Sequence, residues 1–382
     1  MNILLITPGI SKKYNDNYYA YNFIASSGNK ILVISQKENI NKGKGEINQY
    51  FESDGNIVIY RVFDTLKQQN SLIHQILKFS KIKHIINDFN PDIIFCEEIS
   101  NLNLAVRIKK KFNIPLILRV EFAFNKEYPY RTFGRLLKKF RLFGDYFPII
   151  IGKLIWGWAT KNSDSIISCY FEDAKREFNN SSFKKLYYIP WPTYLPEFDS
   201  ETKKNYNRII IAGSFDKHKN LKELKVTIPL IIENTHINEI YIIGTGEDEK
   251  IIEDLKEKYP NNIIHIKSLS RNECLSLISG SCFSYSPATS GGWGFIGDSF
   301  AAKTPLLFSH NHYGFNDNID SIFTFPEEIH KRVNEIYNDK DLYQKISLGG
   351  YERFIKNHTA QGVGQKYIEI CSELLVQREK NI

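Results

Sequence analysis

The sequence predicts an α/β protein built from two doubly wound halves in tandem. Two observations support this fold class. Short apolar stretches alternate along the chain with longer stretches of helical periodicity, which is the pattern of parallel strands joined by crossover helices. The alternation is interrupted once, at residues 190–207, by a segment with three prolines and a charged polar run. A linker at this segment leaves one domain on each side.

The predicted boundaries are residues 1–190 for the first domain, 191–207 for the linker and 208–382 for the second domain. Helical patterns at residues 72–89 and 102–112 separate strands of the first domain, and further helices follow from about residue 326 to the end. The predicted strands are 3–6, 31–34, 57–60, 93–96, 116–120 and 166–168, then 209–212, 240–243, 263–266, a short run around Phe283, and 306–308.

The composition is typical of a soluble globular protein from a reducing compartment. With 382 residues the chain is too long for one ordinary core, and 42% hydrophobic with 24% charged residues excludes general disorder. The five cysteines are scattered without a Cys-x-x-Cys spacing, so we expect no structural zinc and a cytoplasmic location. Neither a secretory leader nor an apolar run of about 20 residues is expected from the sequence.

Residues 281–309, SCFSYSPATSGGWGFIGDSFAAKTPLLFS, form the most informative pattern in the chain. A short strand around Phe283 and Tyr285 leads into a loop of serine, threonine, proline and glycine. A helical pattern over residues 293–302 then stops before Pro305. The start of such a helix carries unpaired N–H groups and roughly half a positive charge, which suits a phosphate or diphosphate.

This stretch resembles the nucleotide-sugar signature of the retaining GT-B glycosyltransferases of family 4, a serine-rich loop followed by E-G-F/W-G and E-A-M-A-x-G-x-P. Gly-Trp-Gly matches the middle of the signature. Asp298, seven residues before Pro305, takes the place of the second glutamate, which binds the donor ribose in the family. Ser290 stands in place of the first glutamate. The resemblance implies a donor site formed by Ser290, Gly291, Gly292, Trp293, Gly294, Phe295 and Asp298.

The resemblance covers nearly the whole chain and implies the GT-B architecture, in which two doubly wound Rossmann-like domains face each other across a cleft. The first domain would then bind the acceptor and the second the nucleotide sugar. The last helix would return to the first domain.

A second part of the donor site is implied by GSFDKHKN, residues 213–220, which resembles the family's G-R-L-x-x-x-K-G. In the family the Arg and the Lys of this motif bind the donor diphosphate. Lys219 matches the lysine, and Ser214 replaces the arginine. The helix macrodipole disfavours a lysine at a helix start unless an anion lies in front of it. The alternative is a solvated lysine among other charged residues.

Gly244 and Leu269 follow the next two strands of the second domain. Gly244 opens a Gly-Thr-Gly turn, but three acidic residues follow it and would repel a pyrophosphate, so a tight turn is favoured over a dinucleotide site. The resemblance implies a backbone contact with the donor there. Leu269 precedes a capping box from Ser270 to Glu273, and in the family the residues at this place hold the base through backbone atoms.

In the first domain, the stretch at residues 114–121 resembles the family's I-P-x-x-x-x-x-H, with Glu121 in the place of the histidine that faces the donor sugar. A carboxylate there could orient an acceptor hydroxyl or stabilise positive charge on the sugar. The alternative is a salt bridge between Glu121 and Arg119. The loop after the first strand places Gly9, Lys12 and Lys13 on the acceptor side.

A metal ion is not expected. His310 and His312 have a His-x-His spacing, but the sequence offers no third ligand near them and no Asp-x-Asp at a strand end. The resemblance then leaves charge neutralisation to Lys219 and the helix dipole.

Residues 131–153 combine a basic and an apolar face on a helical wheel, with six basic residues against the single acid Asp145. This pattern is typical of a helix on an anionic membrane surface, and the alternative is an amphipathic helix packed on its own domain with a solvated basic face. Nucleic acid is not favoured, because no binding motif accompanies the charge. The residues of the basic face are Arg131, Arg135, Lys138, Lys139 and Arg141.

Together these patterns predict a glycosyltransferase that moves a sugar from a nucleoside-diphosphate sugar to a glycan or lipid-linked acceptor, at the inner face of the cell membrane. Two alternatives remain from the sequence. One is another GT-B activity on nucleotide sugars, such as an epimerase. The other is a non-catalytic GT-B subunit, which the replacements Ser290 and Ser214 keep open.

Overall fold

The computed structural model describes residues 1–10, 16–37, 50–120, 154, 156–169, 185–193, 202–289, 293–311 and 313–380. The chain forms two compact units. The first contains Met1–Pro192 and Ala360–Ile382, and the second contains Thr193–Thr359. The last part of the chain therefore belongs to the same unit as the first part.

The first unit is built on an eight-stranded sheet with the order β3-β4-β2-β1-β5-β6-β7-β8, parallel except for the antiparallel pair β3 and β4. The order reverses between β1 and β5, which makes this the switch point of the sheet. The strands are β1 (Asn2–Ile6), β2 (Lys30–Gln36), β3 (Phe51–Asp54), β4 (Ile57–Phe63), β5 (Ile93–Glu97), β6 (Leu116–Val120), β7 (Ser165–Ser168) and β8 (Leu186–Tyr188).

The described helices of the first unit include α1 (Asp16–Ser26), α2 (Leu66–Gln69), α3 (Leu72–Phe89) and α4 (Leu102–Phe112). Helices α3 and α4 are followed by Asn90 and Asn113. Both residues adopt the left-handed backbone conformation that commonly ends a helix. The core lies on both sheet faces, because the central strands are buried along almost their whole length.

The second unit has a six-stranded parallel sheet with the order β11-β10-β9-β12-β13-β14. The order reverses between β9 and β12. The strands are β9 (Asn205–Ala212), β10 (Glu239–Ile243), β11 (Ile263–Ile266), β12 (Ser281–Ser286), β13 (Leu306–Phe308) and β14 (Ile322–Phe323). The helices are α5 (Leu224–Asn234), α6 (Glu249–Lys258), α7 (Arg271–Ser279), α8 (Trp293–Ala301), α9 (Ile329–Asn338) and α10 (Lys340–Asn357).

The chain ends with α11 (Ala360–Glu379), which packs against α1 of the first unit. Tyr367 stacks on Tyr21, with ring centroids 6.2 Å apart. The two helices approach closely at Gly364, where a Cβ would lie 2.8 Å from the carbonyl oxygen of Ala20. Glycine is therefore required at this contact.

The predicted fold class is confirmed, and every predicted strand is present. Three strands were not predicted. The edge strand β3 is polar and half exposed, while β8 and β14 have only three and two residues, so none of them gives a clear apolar signal. Strand β9 begins at Asn205, which lies within the predicted linker. The prediction missed this start because the first residues of β9 are partly or fully exposed and mostly polar.

The segment with the basic face, residues 131–153, lies outside the described residues. Among the helices that the structure does describe, none has the length and apolar character needed to cross a membrane.

Lys204 is a half-buried cation at the amino-terminal edge of the second sheet. Its ammonium donates to the carbonyl oxygens of Ser279 (3.1 Å) and Ser281 (3.2 Å) and to the hydroxyl of Thr304 (3.2 Å). Burial lowers the pKa of Lys204 to about 8. The three acceptors therefore do not fully offset the cost of removing the charge from water.

The pKa of Lys204 predicts a specific dependence of stability on pH. Between pH about 8 and the ordinary lysine pKa of about 10.4, Lys204 is protonated in the unfolded chain but largely deprotonated in the folded chain. The contribution of Lys204 to the free energy of unfolding therefore increases as the pH rises through this window. Relative to Lys204→Met, the wild type should gain at most about 1.4 kcal/mol per pH unit across this window.

Urea unfolding from pH 7.5 to 10 measures the difference, with Lys203→Met as the control because Lys203 is the exposed neighbour. A wild type and a Lys204→Met variant whose stabilities change in parallel would contradict the prediction.

Candidate active site

A depression lies at the carboxyl ends of β9 and β12, where the strand order of the second sheet reverses. It encloses about 340 Å³, including space open to solvent. Open α/β sheets bind ligands at this place, because the connections from the two strands run in opposite directions and leave a gap. The side chains that shape it include Ser214, Phe215, Lys219, Tyr285 and Phe295.

Lys219 reaches the depression from a short turn that follows β9. The turn closes through N–H groups of Lys219 and Asn220, which donate to the carbonyl oxygens of Asp216 (2.8 Å) and Lys217 (3.2 Å). The predicted position of Lys219 at the start of an α-helix is wrong. Two short 3-10 turns come first and α5 begins only at Leu224, because Asn220 adopts the left-handed conformation (φ 53°) between them.

Ser214 is exposed beside the depression, and Gly244 lies against the same loop from the end of β10. A Cβ at Gly244, where φ is 142°, would collide with the carbonyl oxygen of Gly213. This close approach accounts for the glycine through packing and agrees with the tight turn predicted from the sequence. Gly244 thereby supports the loop that carries Ser214.

Helix α8 starts beside the depression. Phe295 lines the depression from the first turn of α8, and Gly294 is exposed next to it. The indole of Trp293 is only 6% exposed, stacks on His358 with ring centroids 3.8 Å apart, and donates to Thr193 at 2.8 Å. Trp293 can therefore offer a ligand its backbone N–H but not its ring.

Asp298 lies one turn further along α8 and is 8% exposed. Its carboxylate accepts a hydrogen bond from Arg271 at 2.8 Å. Arg271 is the first residue of α7, whose predicted capping box between Ser270 and Glu273 is confirmed. Leu269, just before the cap, packs in the same small apolar cluster as Phe295. The structure thus brings Leu269, Phe295 and Asp298 to one side of the second sheet.

The first unit has a buried polar cluster at its own switch point. Glu97, the last residue of β5, accepts hydrogen bonds from Thr7 (2.6 Å), Arg119 (2.8 Å) and Tyr21. Gly9 joins the cluster through its N–H, which donates to Thr7 at 3.5 Å. Burial and the charge of Glu97 hold the pKa of Tyr21 well above its ordinary value, so its hydroxyl remains a donor.

Arg119 is fully buried and forms a salt bridge with Glu97. The guanidinium also lies 4.4 Å from the ring centroid of Trp191. The remaining predicted site residues lie outside the described residues: Glu121, Lys12, Lys13, Ser290, Gly291, Gly292, Arg131, Arg135, Lys138, Lys139 and Arg141.

Residues 196–353 match the family described as glycosyl transferases group 1. The match covers most of the second unit. The matched residues contain the whole depression, so the predicted donor residues fall within the matched range. No curated protein matches the sequence.

Solved structures similar to this chain share its fold at low sequence identity. Sucrose-phosphate synthase from Thermosynechococcus elongatus has a TM-score of 0.68 at 12% identity, covering 98% of this chain and 99% of the other. Anabaena HepE in complex with UDP-glucose has 0.64 at 11%, covering 98% and 100%. The lipopolysaccharide outer core galactosyltransferase WaaB has 0.67 at 14%, also covering 98% and 100%.

One buried residue of the candidate site, Glu223, was not predicted. Its carboxylate lies behind the depression and accepts hydrogen bonds from Tyr285 and from Asn220 (2.8 Å). In the sequence it appears within LKELK, where charged residues suggest a solvated helix face. Its spacing of four residues from Thr227, which is also buried, is a sequence signal for its burial but not for its contacts.

We predict that Lys219 and Asp298 bind the donor. Lys219→Ala removes a positive charge from the diphosphate, and Asp298→Ala removes an acceptor from the ribose. Each change should weaken transition-state binding by about 1.5–3 kcal/mol, which lowers kcat/KM for the donor roughly ten- to hundredfold. Steady-state kinetics of transfer or of donor hydrolysis measures both variants.

Lys222→Ala is the control for Lys219, because Lys222 is exposed three residues along. Arg271→Ala is the control for Asp298, because it breaks the salt bridge and keeps the carboxylate. Full activity in both Lys219→Ala and Asp298→Ala would show that the assignment is wrong.

Proposed function

We propose that this enzyme transfers a sugar, with retention of anomeric configuration, from a nucleoside-diphosphate sugar to a glycan or lipid-linked acceptor in cell-surface polysaccharide or glycolipid synthesis. One observation carries the proposal. Lys219 and the first turn of α8 meet at one depression, at the switch point of the second sheet. Two sources of positive charge at the place where open α/β sheets bind ligands suit a diphosphate.

The rest of the depression suits the remaining parts of such a donor. Phe295 and Leu269 form an apolar side that can cover a base, and Asp298 offers a carboxylate to ribose hydroxyls. Several structures with the same fold were solved with UDP or UDP-glucose bound. The proposed donor is therefore a nucleotide sugar, with its diphosphate against Lys219.

The proposed chemistry needs charge stabilisation at two points. When the bond between the sugar and the diphosphate breaks, negative charge grows on the diphosphate and positive charge grows on the sugar. Lys219 and the N-terminus of α8 stabilise the first. Glu121 is proposed to stabilise the second or to orient the acceptor hydroxyl.

The donor is proposed to bind without a metal ion. The sequence has no Asp-x-Asp at a strand end to hold a divalent cation beside the diphosphate. Lys219 and the helix dipole supply positive charge in its place. Activity is therefore expected to survive chelation.

A lipid-linked acceptor implies contact with a membrane, and two features of the first unit support that contact. One is the basic face of residues 131–141. The other is on α3, where four aliphatic side chains on the first two turns are 49–71% exposed: Leu72, Ile73, Ile76 and Leu77. Lys81 and Lys83 follow on the next turn, which suits an anionic lipid surface. The enzyme is proposed to act on the inner face of the cell membrane.

Thermal-shift measurements with UDP, GDP, ADP and their sugars test the proposed donor class. A ligand that binds only the folded state stabilises it and so raises the unfolding midpoint. At a ligand concentration of 100 times Kd the stabilisation is about 2.7 kcal/mol. We expect one nucleotide series to raise the midpoint, with EDTA present. No shift with any of them would contradict the proposal, and a shift or an activity that requires magnesium or manganese would contradict metal-independent binding.

Vesicle sedimentation tests the membrane contact. Each basic residue near an anionic surface contributes about 1 kcal/mol, and salt weakens the attraction as the Debye length falls to about 3 Å near 1 M. Changing Arg131, Arg135, Lys138, Lys139 and Arg141 to glutamine should release the protein from vesicles that contain phosphatidylserine, with little change in the thermal midpoint.

The double variant Ile73→Ser, Leu77→Ser should also weaken vesicle binding. Val226→Ser, an exposed aliphatic change in the second unit, should not. A wild type that ignores anionic vesicles at low salt would contradict the membrane contact.

A further inference from the structure

We propose that Glu223 is a positioning residue that holds the Lys219 turn in place for donor binding. The inference rests on the proposed function, since it assigns Lys219 to the diphosphate. Glu223 does not line the depression itself. It would act through the residues that its carboxylate holds.

The Glu223 carboxylate joins three segments that come from three neighbouring strands of the second sheet. Its Oε2 accepts from Asn220, after β9, at 2.8 Å. Its Oε1 accepts from the hydroxyl of Tyr285, in β12, and from the hydroxyl of Ser309, after β13. His310 Nε2 lies 3.3 Å from Oε2. All three segments lie at the carboxyl ends of their strands, where the donor is proposed to bind.

The environment of Glu223 makes this arrangement rigid. The side chain is only 6% exposed, and an ionised carboxylate with so little water is stable only when donors surround it. It has three donors and the imidazole of His310 within 3.3 Å. A displacement of any one segment would leave part of a buried charge unpaired, which is costly, so the three segments are held in register.

Tyr285 connects the carboxylate to the depression. Tyr285 is among the residues that line the depression, and its hydroxyl donates to Glu223. Burial and the charge of Glu223 hold the pKa of Tyr285 well above its ordinary value, so the phenol stays protonated and remains a donor. The wall formed by Tyr285 is thus tied to the same carboxylate as the Lys219 turn.

Asn220 connects the carboxylate to Lys219. It follows Lys219 directly and adopts the left-handed conformation, which is unfavourable for most residues other than glycine. Its side chain is tied to Glu223 while its N–H closes the turn on Lys217. Coulomb energy falls with distance, so a small shift of this turn would weaken the attraction between Lys219 and a diphosphate.

A purely structural role for Glu223 predicts something different. It would lower the stability of the second unit without changing the affinity of the molecules that remain folded. A positioning role changes the affinity, and it does so only while Lys219 is present.

Calorimetric titration with UDP, GDP and ADP tests the inference in a double-mutant cycle. Glu223→Gln keeps the size of the side chain and removes its charge. We expect it to weaken nucleotide binding about tenfold in the wild-type background and less than twofold in the Lys219→Ala background. Glu233→Gln, an exposed glutamate on α5, is the matched control and should bind like the wild type.

A second variant covers the possibility that Glu223→Gln fails to fold. Asn220→Gly suits the left-handed backbone and removes only the side-chain bond to Glu223, so it should fold and bind about threefold more weakly. Unchanged affinity in both variants, or equal losses with and without Lys219, would overturn the role of Glu223. A wild type that binds none of the three nucleotides would instead overturn the donor proposal.

Discussion

The site depends on one constraint of the second sheet, which is that the connections from β9 and β12 leave it on opposite faces. Residues of α5 after β9 pack with Ile209 and Ile211, whereas residues around α7 and α8 pack with Ile210 on the other face. The gap between the two connections is the depression. It exposes the end of β9, the Lys219 turn and the first turn of α8 to one ligand-sized space.

The two units use a buried carboxylate at the same place in their sheets. In the first unit Glu97 joins the ends of β1, β5 and β6 through Thr7 and Arg119. In the second unit Glu223 joins the ends of β9, β12 and β13. The carboxyl ends of the parallel strands lie side by side at this edge of each sheet. A carboxylate that accepts several hydrogen bonds there can hold the loops that follow the strands. Binding residues can then sit on loops without losing their positions.

How much the sequence could predict depended on how local each signal was. The buried parallel strands were predicted because strands such as Leu116–Val120 are largely apolar, and Phe295 and Lys219 were found because they lie in short motifs that resemble those of a known family. The edge strand β3 was missed because three of its four residues, Glu52, Ser53 and Asp54, are polar. Glu223 could not be predicted as part of the site, because Tyr285 and Ser309 are 62 and 86 residues away from it. Local patterns do not report contacts over such separations.

The central claim is that a nucleotide sugar binds in the depression between β9 and β12. Hydrogen exchange by mass spectrometry, with and without the nucleotide sugar that stabilises the protein most, tests it most directly. Bound ligand should slow exchange in peptides that cover residues 211–221 and 293–298. A ligand that binds at saturation and leaves both segments unchanged, with protection confined to other parts of the chain, would contradict it.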